Sequence, residues 1–177
     1  MLLSASDSTL LIVDMQGRLM PAIHDADAVL GAAHKLAQAA RLLDVPVMAT
    51  EHHSKMLGVT VEPLRELVQG AFQKMHFSSA REPGFDGWLP AARRTVLVAG
   101  CEAHICVLQT VIGLIELGYK AALVADAAGS RKPSDHHAAL RRARAHGAEI
   151  ITSEMAIFEW METCEHPRFR DVLRLVK

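Results

Sequence analysis

The chain has 177 residues, half of them hydrophobic, and a formal net charge of −1 at pH 7. This length suits one domain with a buried core, so we expect residues 1–177 to form a single domain. The balanced charge gives no basic surface, which argues against binding to nucleic acid or to an anionic membrane and favours a small-molecule ligand. No apolar run approaches the ~20 residues that a membrane span requires.

The chain has three cysteines, Cys101, Cys106 and Cys164, and none of them is part of a CxxC motif. A small and odd number of cysteines argues against a disulfide framework and is typical of a reducing compartment. The first residues lack the basic segment and the long apolar core of a signal peptide. These features predict a cytoplasmic protein.

Six short segments rich in β-forming residues alternate with helical patterns along the chain. Strands are predicted at residues 10–13, 45–49, 71–74, 96–99, 121–124 and 150–151. Most of these segments are apolar on both faces, which is typical of a parallel sheet covered by helices.

Helical periodicity separates most of these strands. It runs over residues 29–43, behind the acidic residues Asp25 and Asp27, and again over 105–117, 134–146 and 154–161. Residues 78–90, with one proline and two glycines near their centre, are predicted to form a loop. The alternation predicts a three-layer α/β/α Rossmann-like fold with a six-stranded, mostly parallel sheet in the order 3-2-1-4-5-6.

Three reactive residues follow or end different strands of this sheet. Asp14 follows the first strand, Lys74 ends the third, and Cys106 comes shortly after the fourth. Ligand sites in such sheets lie beyond the carboxyl ends of the strands, where the strand order reverses, so the three side chains are expected to meet. Each also has an ordinary structural alternative: the aspartate as a turn former, the lysine as a solvated cation and the cysteine as core filler. Lys74 lies in an otherwise uncharged stretch, where a charge needs a partner.

Cys106 is predicted to lie at a helix N-terminus, because an apolar strand precedes it and an apolar-periodic helix follows. Backbone N–H groups and the helix dipole favour a thiolate at such a position. The pattern therefore predicts an activated nucleophile.

Three segments, in this order and spacing, carry a family resemblance. They are Leu-Ile-Val-Asp-Met-Gln at 11–16, Gln-Lys-Met-His-Phe-Ser at 73–78, and Gly-Cys-Glu-Ala-His-Ile-Cys-Val-Leu-Gln-Thr at 100–110. The chain resembles the isochorismatase-like cysteine hydrolases, in particular their small isochorismatase-domain branch. The resemblance implies a triad in which Asp14 is the general base, Lys74 its charge partner and Cys106 the nucleophile.

The resemblance also implies a cis peptide bond between Cys101 and Glu102, next to an oxyanion hole formed by N–H groups there and at Cys106. A cysteine nucleophile favours cleavage of a C–N bond in a small amide or carbamoyl compound through a thioester. The predicted substrate-binding residues are Gln16 and Phe77, inside two of these segments, and Glu51 and His53, which follow the second strand.

Glu51 and His53 have an i, i+2 spacing that resembles a pair of metal ligands. A zinc site needs at least three oriented ligands, so we predict no metal and no cofactor. The alternative function is that of a non-catalytic interaction or scaffold protein on the same fold. A thiol-redox role is disfavoured because no second cysteine lies at CxxC spacing.

Apolar residues exceed what one sheet face needs in two parts of the chain. They are Ile105, Leu108, Val111, Ile112, Ile115 and Leu117 in the helix after the fourth strand, and Trp160, Phe169, Val172, Leu173 and Val176 in the C-terminal tail. An excess of this kind marks an interface, and the resemblance also implies homo-oligomers, so we predict a symmetric homo-oligomer.

Overall fold

A computed structural model describes residues 2–177 and shows one six-stranded sheet. The strands are β1 (Ser8–Val13), β2 (Val47–His52), β3 (Gly70–Lys74), β4 (Thr95–Cys101), β5 (Lys120–Gly129) and β6 (Glu149–Ile151). Every neighbouring pair is parallel and the order is β3-β2-β1-β4-β5-β6. The predicted fold class is confirmed.

Helices cover both faces of the sheet. They are α1 (Ala26–Leu42), α2 (Ser54–Leu57), α3 (Phe85–Trp88), α4 (Leu108–Glu116), α5 (Pro133–Ala145), α6 (Ser153–Met161) and α7 (Phe169–Val176). Helix α1 packs with α6 and α7, whereas α4 packs with α5. Side chains alternate along each strand, so Leu10 and Ile12 join the core under α1 while Leu11 and Val13 join the core under α4. Among residues 2–177 no helix is both long and apolar enough to cross a membrane.

The helices differ from the predicted pattern in several places. One turn of π-helix (Ala103–Val107) precedes α4, so the regular helix begins three residues later than expected. The predicted loop at 78–90 holds a 3₁₀ turn (Ser79–Arg81) and the short helix α3. Asp25 precedes α1 but its side chain caps no N–H group, and α6 is capped by Thr152, whose hydroxyl accepts from the Met155 N–H.

The C-terminal tail folds back on its own core. Residues 169–176 form α7, Val172 is fully buried, and Trp160 is 2% exposed against the same cluster. Trp160 and Val172, which were predicted to belong to an interface, therefore pack within the core of their own chain, because the tail closes the α1 face of the sheet.

Gly100 allows the two central strands to approach where the site begins. Its φ is +139°, and a Cβ there would lie 2.1 Å from the carbonyl oxygen of Val13. An L-residue is excluded both by the backbone conformation and by the space.

We expect Gly100→Ala to lower the free energy of unfolding by about 2–4 kcal/mol, because strain and a backbone clash add. Urea unfolding measures this change. The matched control is Gly31→Ala in α1, where a Cβ meets open space and the change should stabilise by about 0.5–1 kcal/mol. A loss at position 100 below about 1 kcal/mol would contradict the close approach of the strands.

Candidate active site

The triad residues follow or end three different strands of the sheet. Asp14 directly follows β1, in a left-handed backbone conformation with φ of +53°, and its N–H donates to the carbonyl of Thr50. Lys74 is the last residue of β3, and Cys106 lies in the π turn that follows β4. The strand order places all three at the carboxyl edge beside β1, where the topology reverses.

Asp14 and Lys74 form a buried ion pair. The Lys74 Nζ donates to Asp14 Oδ2 at 2.6 Å, and both side chains are fully buried. The Thr50 hydroxyl donates to the other carboxylate oxygen, Oδ1, at 2.8 Å. Both oxygens of the carboxylate are thus oriented by protein donors, and Thr50 joins the site although the sequence analysis did not include it.

The Lys74 ammonium has two further acceptors, the backbone carbonyl oxygens of His76 at 3.1 Å and Phe77 at 3.0 Å. Together with Asp14 these account for its three N–H groups. Lys74 therefore influences the reaction through its charge and through Asp14, and none of its N–H groups is left to donate to a substrate.

The Cys106 thiol is enclosed and protonated. The residue is 6% exposed, and the Asp14 carboxylate lies close enough to influence the pKa of its thiol. Burial, followed by the negative charge of Asp14, raises the pKa of Cys106 to about 12, while the charge of Lys74 opposes this shift. This direction is opposite to the predicted thiolate, because Cys106 lies in the π turn before the regular helix and burial disfavours the charged form.

A protonated resting thiol predicts slow alkylation. At pH 7, without substrate, Cys106 should react with iodoacetamide at least tenfold more slowly than the exposed Cys164, because only the thiolate attacks. Its rate should rise about tenfold for each pH unit from 7 to 9, since both values lie well below the pKa. Peptide mass spectrometry follows both sites in one sample. A plateau reached below pH 8 would indicate a thiolate.

The peptide bond between Cys101 and Glu102 is cis. The Cys101 thiol points into the core, 3.5 Å from the sulfur of Met20, so only its backbone faces the turn that carries Cys106. The Glu102 carbonyl accepts from Ile105 N and Val107 N, and its carboxylate pairs with Arg131. These contacts fix the backbone N–H groups around the nucleophile.

Two predicted substrate-binding residues have structural partners instead. The Gln16 amide nitrogen donates to the carbonyls of His52 and Gly58, at 3.0 and 2.6 Å, and its oxygen accepts from His52 N. The Glu51 carboxylate accepts from Thr60 N, Thr60 Oγ1 and Gln73 Nε2. The prediction that Gln16 and Glu51 bind substrate is corrected, because the polar atoms of both buried side chains are hydrogen-bonded to strand ends and to the loop after α2.

His53 and Phe77 lie beside the triad. His53, Lys74 and Glu82 line a cavity of about 450 Å³. The Phe77 ring is 52% exposed and packs 5.3 Å from the His52 ring. Across residues 2–177, no three His, Cys, Asp or Glu side chains are grouped so that they could hold a metal ion.

Comparison with known proteins gives consistent matches. The isochorismatase domain family model matches residues 8–155. Isochorismatase domain-containing protein 1 of Danio rerio is 35% identical over 181 residues, which cover 99% of this chain but only 62% of the fish protein. Isochorismatase domain-containing protein 2 of Homo sapiens is 34% identical over 175 residues, covering 96% and 83% of the two chains. A solved structure of the MAR1 ribonuclease from Caenorhabditis elegans is 32% identical, with a TM-score of 0.93 over 99% of this chain and 92% of that one. This chain therefore belongs to the isochorismatase domain family.

Proposed function

We propose that the protein is a cysteine hydrolase that cleaves a C–N bond in a small amide or carbamoyl compound, with Asp14, Lys74 and Cys106 as its triad. Family membership supports a hydrolase in general. The observation that carries the finer proposal is the buried Lys74–Asp14 pair beside the Cys106 thiol. A buried ion pair adds little stability over apolar packing, so its position next to a thiol favours chemistry over a scaffold role.

The reaction begins when Asp14 accepts the thiol proton as the Cys106 sulfur attacks the carbonyl carbon. The carbonyl oxygen becomes negative and is bound by backbone N–H groups of the turn after Cys101. The C–N bond then breaks, and the amine leaves with the proton returned by Asp14. Water, deprotonated by Asp14, attacks the thioester, which releases the acid and restores the thiol. Since Lys74 and Thr50 each donate to one oxygen of Asp14, the carboxyl group keeps one orientation in both half-reactions.

We propose that His53 and Phe77 form part of the surface that contacts the substrate. Both lie beside Lys74, and the exposed face of the Phe77 ring offers an apolar surface to a small ligand. We also infer a cytoplasmic protein, since its three cysteines are unpaired.

A panel of small amides, ureas and carbamoyl compounds, with an RNA oligonucleotide in parallel, tests the proposed substrate class. The nematode neighbour is named a ribonuclease, but a net charge of −1 gives this chain little general attraction for a phosphate backbone. We expect turnover of at least one small C–N compound that is lost in Cys106→Ala, and no RNA cleavage. RNA cleavage alone, or no turnover of any compound, would overturn the proposal.

We infer a homo-oligomer from the apolar residues around the site. Met56, Val59, Met75 and Phe77, on the segments flanking the crevice, are 45–61% exposed. Contact with a second copy would remove this area from water. Light scattering at micromolar concentration should give at least twice the chain mass of 19.3 kDa. A mass near that of one chain would contradict the homo-oligomer and would show that these residues face solvent or substrate and not a second copy.

A further inference from the structure

Glu82 lies outside the triad but gathers a set of hydrogen bonds on one oxygen. Its Oε2 accepts from the backbone N–H groups of Met75 and His76, both at 2.9 Å, and from His76 Nδ1 at 2.8 Å. These donors hold the pKa of Glu82 down to about 2, so the side chain is a carboxylate at neutral pH. Glu82 therefore fixes the backbone directly after Lys74.

That stretch of backbone supplies two of the three acceptors of Lys74. The carbonyl groups of His76 and Phe77 point at the ammonium, while the N–H groups of Met75 and His76 point at Glu82. The two N–H groups belong to the peptide planes directly before those of the two carbonyls, and the His76 ring, which also binds Glu82, is on the residue whose carbonyl binds Lys74. Glu82 thus fixes the chain directly before the two carbonyls that bind Lys74.

The other side of Glu82 is anchored to the helix that follows the nucleophile. The 3₁₀ turn before Glu82 is held to α4 by Ser79 N, which donates to Thr110 Oγ1 at 3.0 Å. Ser78 Oγ donates to the Gln109 carbonyl, and Ala80 lies so close to Gly113 that a Cβ there would come within 2.6 Å. A continuous set of contacts therefore runs from α4 through Glu82 to Lys74.

We propose that Glu82 is a positioning residue, which holds Lys74 against Asp14 by fixing the two backbone carbonyls that share the Lys74 ammonium. This inference rests on the proposed triad. Without the Glu82 oxygen, the N–H groups of residues 75 and 76 turn toward water. The two carbonyls then move, and the ammonium shifts with them away from Asp14.

Two substitutions separate the effect of the position of the Glu82 oxygen from the effect of its charge. Glu82→Asp keeps the charge but withdraws the oxygen by one methylene, whereas Glu82→Gln loses the charge but keeps an acceptor oxygen at the same distance. Glu82→Ala has the same charge as Glu82→Gln but no acceptor oxygen. The pair Glu82→Gln and Glu82→Ala therefore tests the position of the acceptor at constant charge, also if the aspartate variant fails to fold. Glu66→Gln, at an exposed glutamate, measures the effect of losing one surface charge.

The readout is the ratio of the alkylation rates of Cys106 by iodoacetate and by iodoacetamide, measured in a Cys164→Ser background. The two reagents have nearly the same size, so access to the thiol cancels in the ratio. Only iodoacetate is anionic, so the ratio reports the local charge. When Lys74 moves away, the uncompensated Asp14 charge repels iodoacetate and the ratio falls.

We expect the ratio for Glu82→Asp to be at least twofold below that of the parent protein, and the ratio for Glu82→Ala to be at least twofold below that for Glu82→Gln, since each pair is matched in charge. Glu66→Gln should equal the parent protein. A difference below twofold, or a reversed order, would overturn the positioning role. The measurement needs no substrate, so its failure is distinct from failure of the proposed hydrolase, which the substrate panel decides separately.

Discussion

Cys106→Ser is expected to abolish turnover while the fold stays intact. Serine differs from cysteine by one atom, so the enclosed position next to Asp14 tolerates it. Its hydroxyl is far harder to deprotonate than a thiol, and losing a nucleophile of this kind costs at least ~10³-fold in kcat. Turnover of the best compound in the panel, together with a thermal melt, measures both effects.

The matched control for this substitution is Cys164→Ser, which changes an exposed thiol away from the triad and should leave turnover unchanged. Activity in Cys106→Ser above a tenth of the parent rate would be incompatible with a covalent mechanism. Equal loss in both variants would point to a general effect of the substitution instead.

Lys74→Met should destabilise the protein strongly, because it leaves the Asp14 carboxylate buried without its cation. Breaking a fully buried pair in this way costs about 3–5 kcal/mol in the free energy of unfolding. Adding Asp14→Asn removes the orphaned charge, so the double variant should recover at least half of this loss. Activity should not recover, because the asparagine cannot accept the thiol proton. Urea unfolding and turnover, measured on the same preparations, separate the two effects.

The control for this pair is Asp14→Asn alone, which leaves the Lys74 ammonium buried without its carboxylate. This variant should lose as much free energy of unfolding as Lys74→Met. A cost below about 1 kcal/mol for either single variant would show that the pair is hydrated and contributes little. Recovery of turnover in the double variant would remove Asp14 from the proton transfer.

The positions of the triad residues could be predicted from sequence because each ends or follows a predicted strand. In a parallel sheet the strand ends share one edge, so Asp14, Lys74 and Cys106 needed only the strand order to converge. The roles of Gln16 and Glu51 could not be predicted in the same way. Polar residues at strand ends bind neighbouring backbone as readily as substrate, and only the register shows which partners lie within reach.

The state of the thiol was hidden for a different reason. Helical periodicity indicates that a helix follows β4, but it does not reveal the π turn that places Cys106 before the regular helix. It also carries no information on burial, which dominates the pKa of the thiol. Glu82 was missed because two of its three donors are backbone N–H groups, which leave no mark in the side-chain pattern.

We propose that Cys106 carries the acyl group of the substrate during turnover. Wild-type protein turning over the best substrate of the panel is quenched in acid, where thioesters survive, and the peptide containing Cys106 is weighed by mass spectrometry. We expect a fraction of this peptide to be heavier by the mass of the substrate's acyl group, and no such fraction in Cys106→Ser. Turnover with an unmodified Cys106 peptide, or an adduct on Cys101 or Cys164 instead, would contradict it.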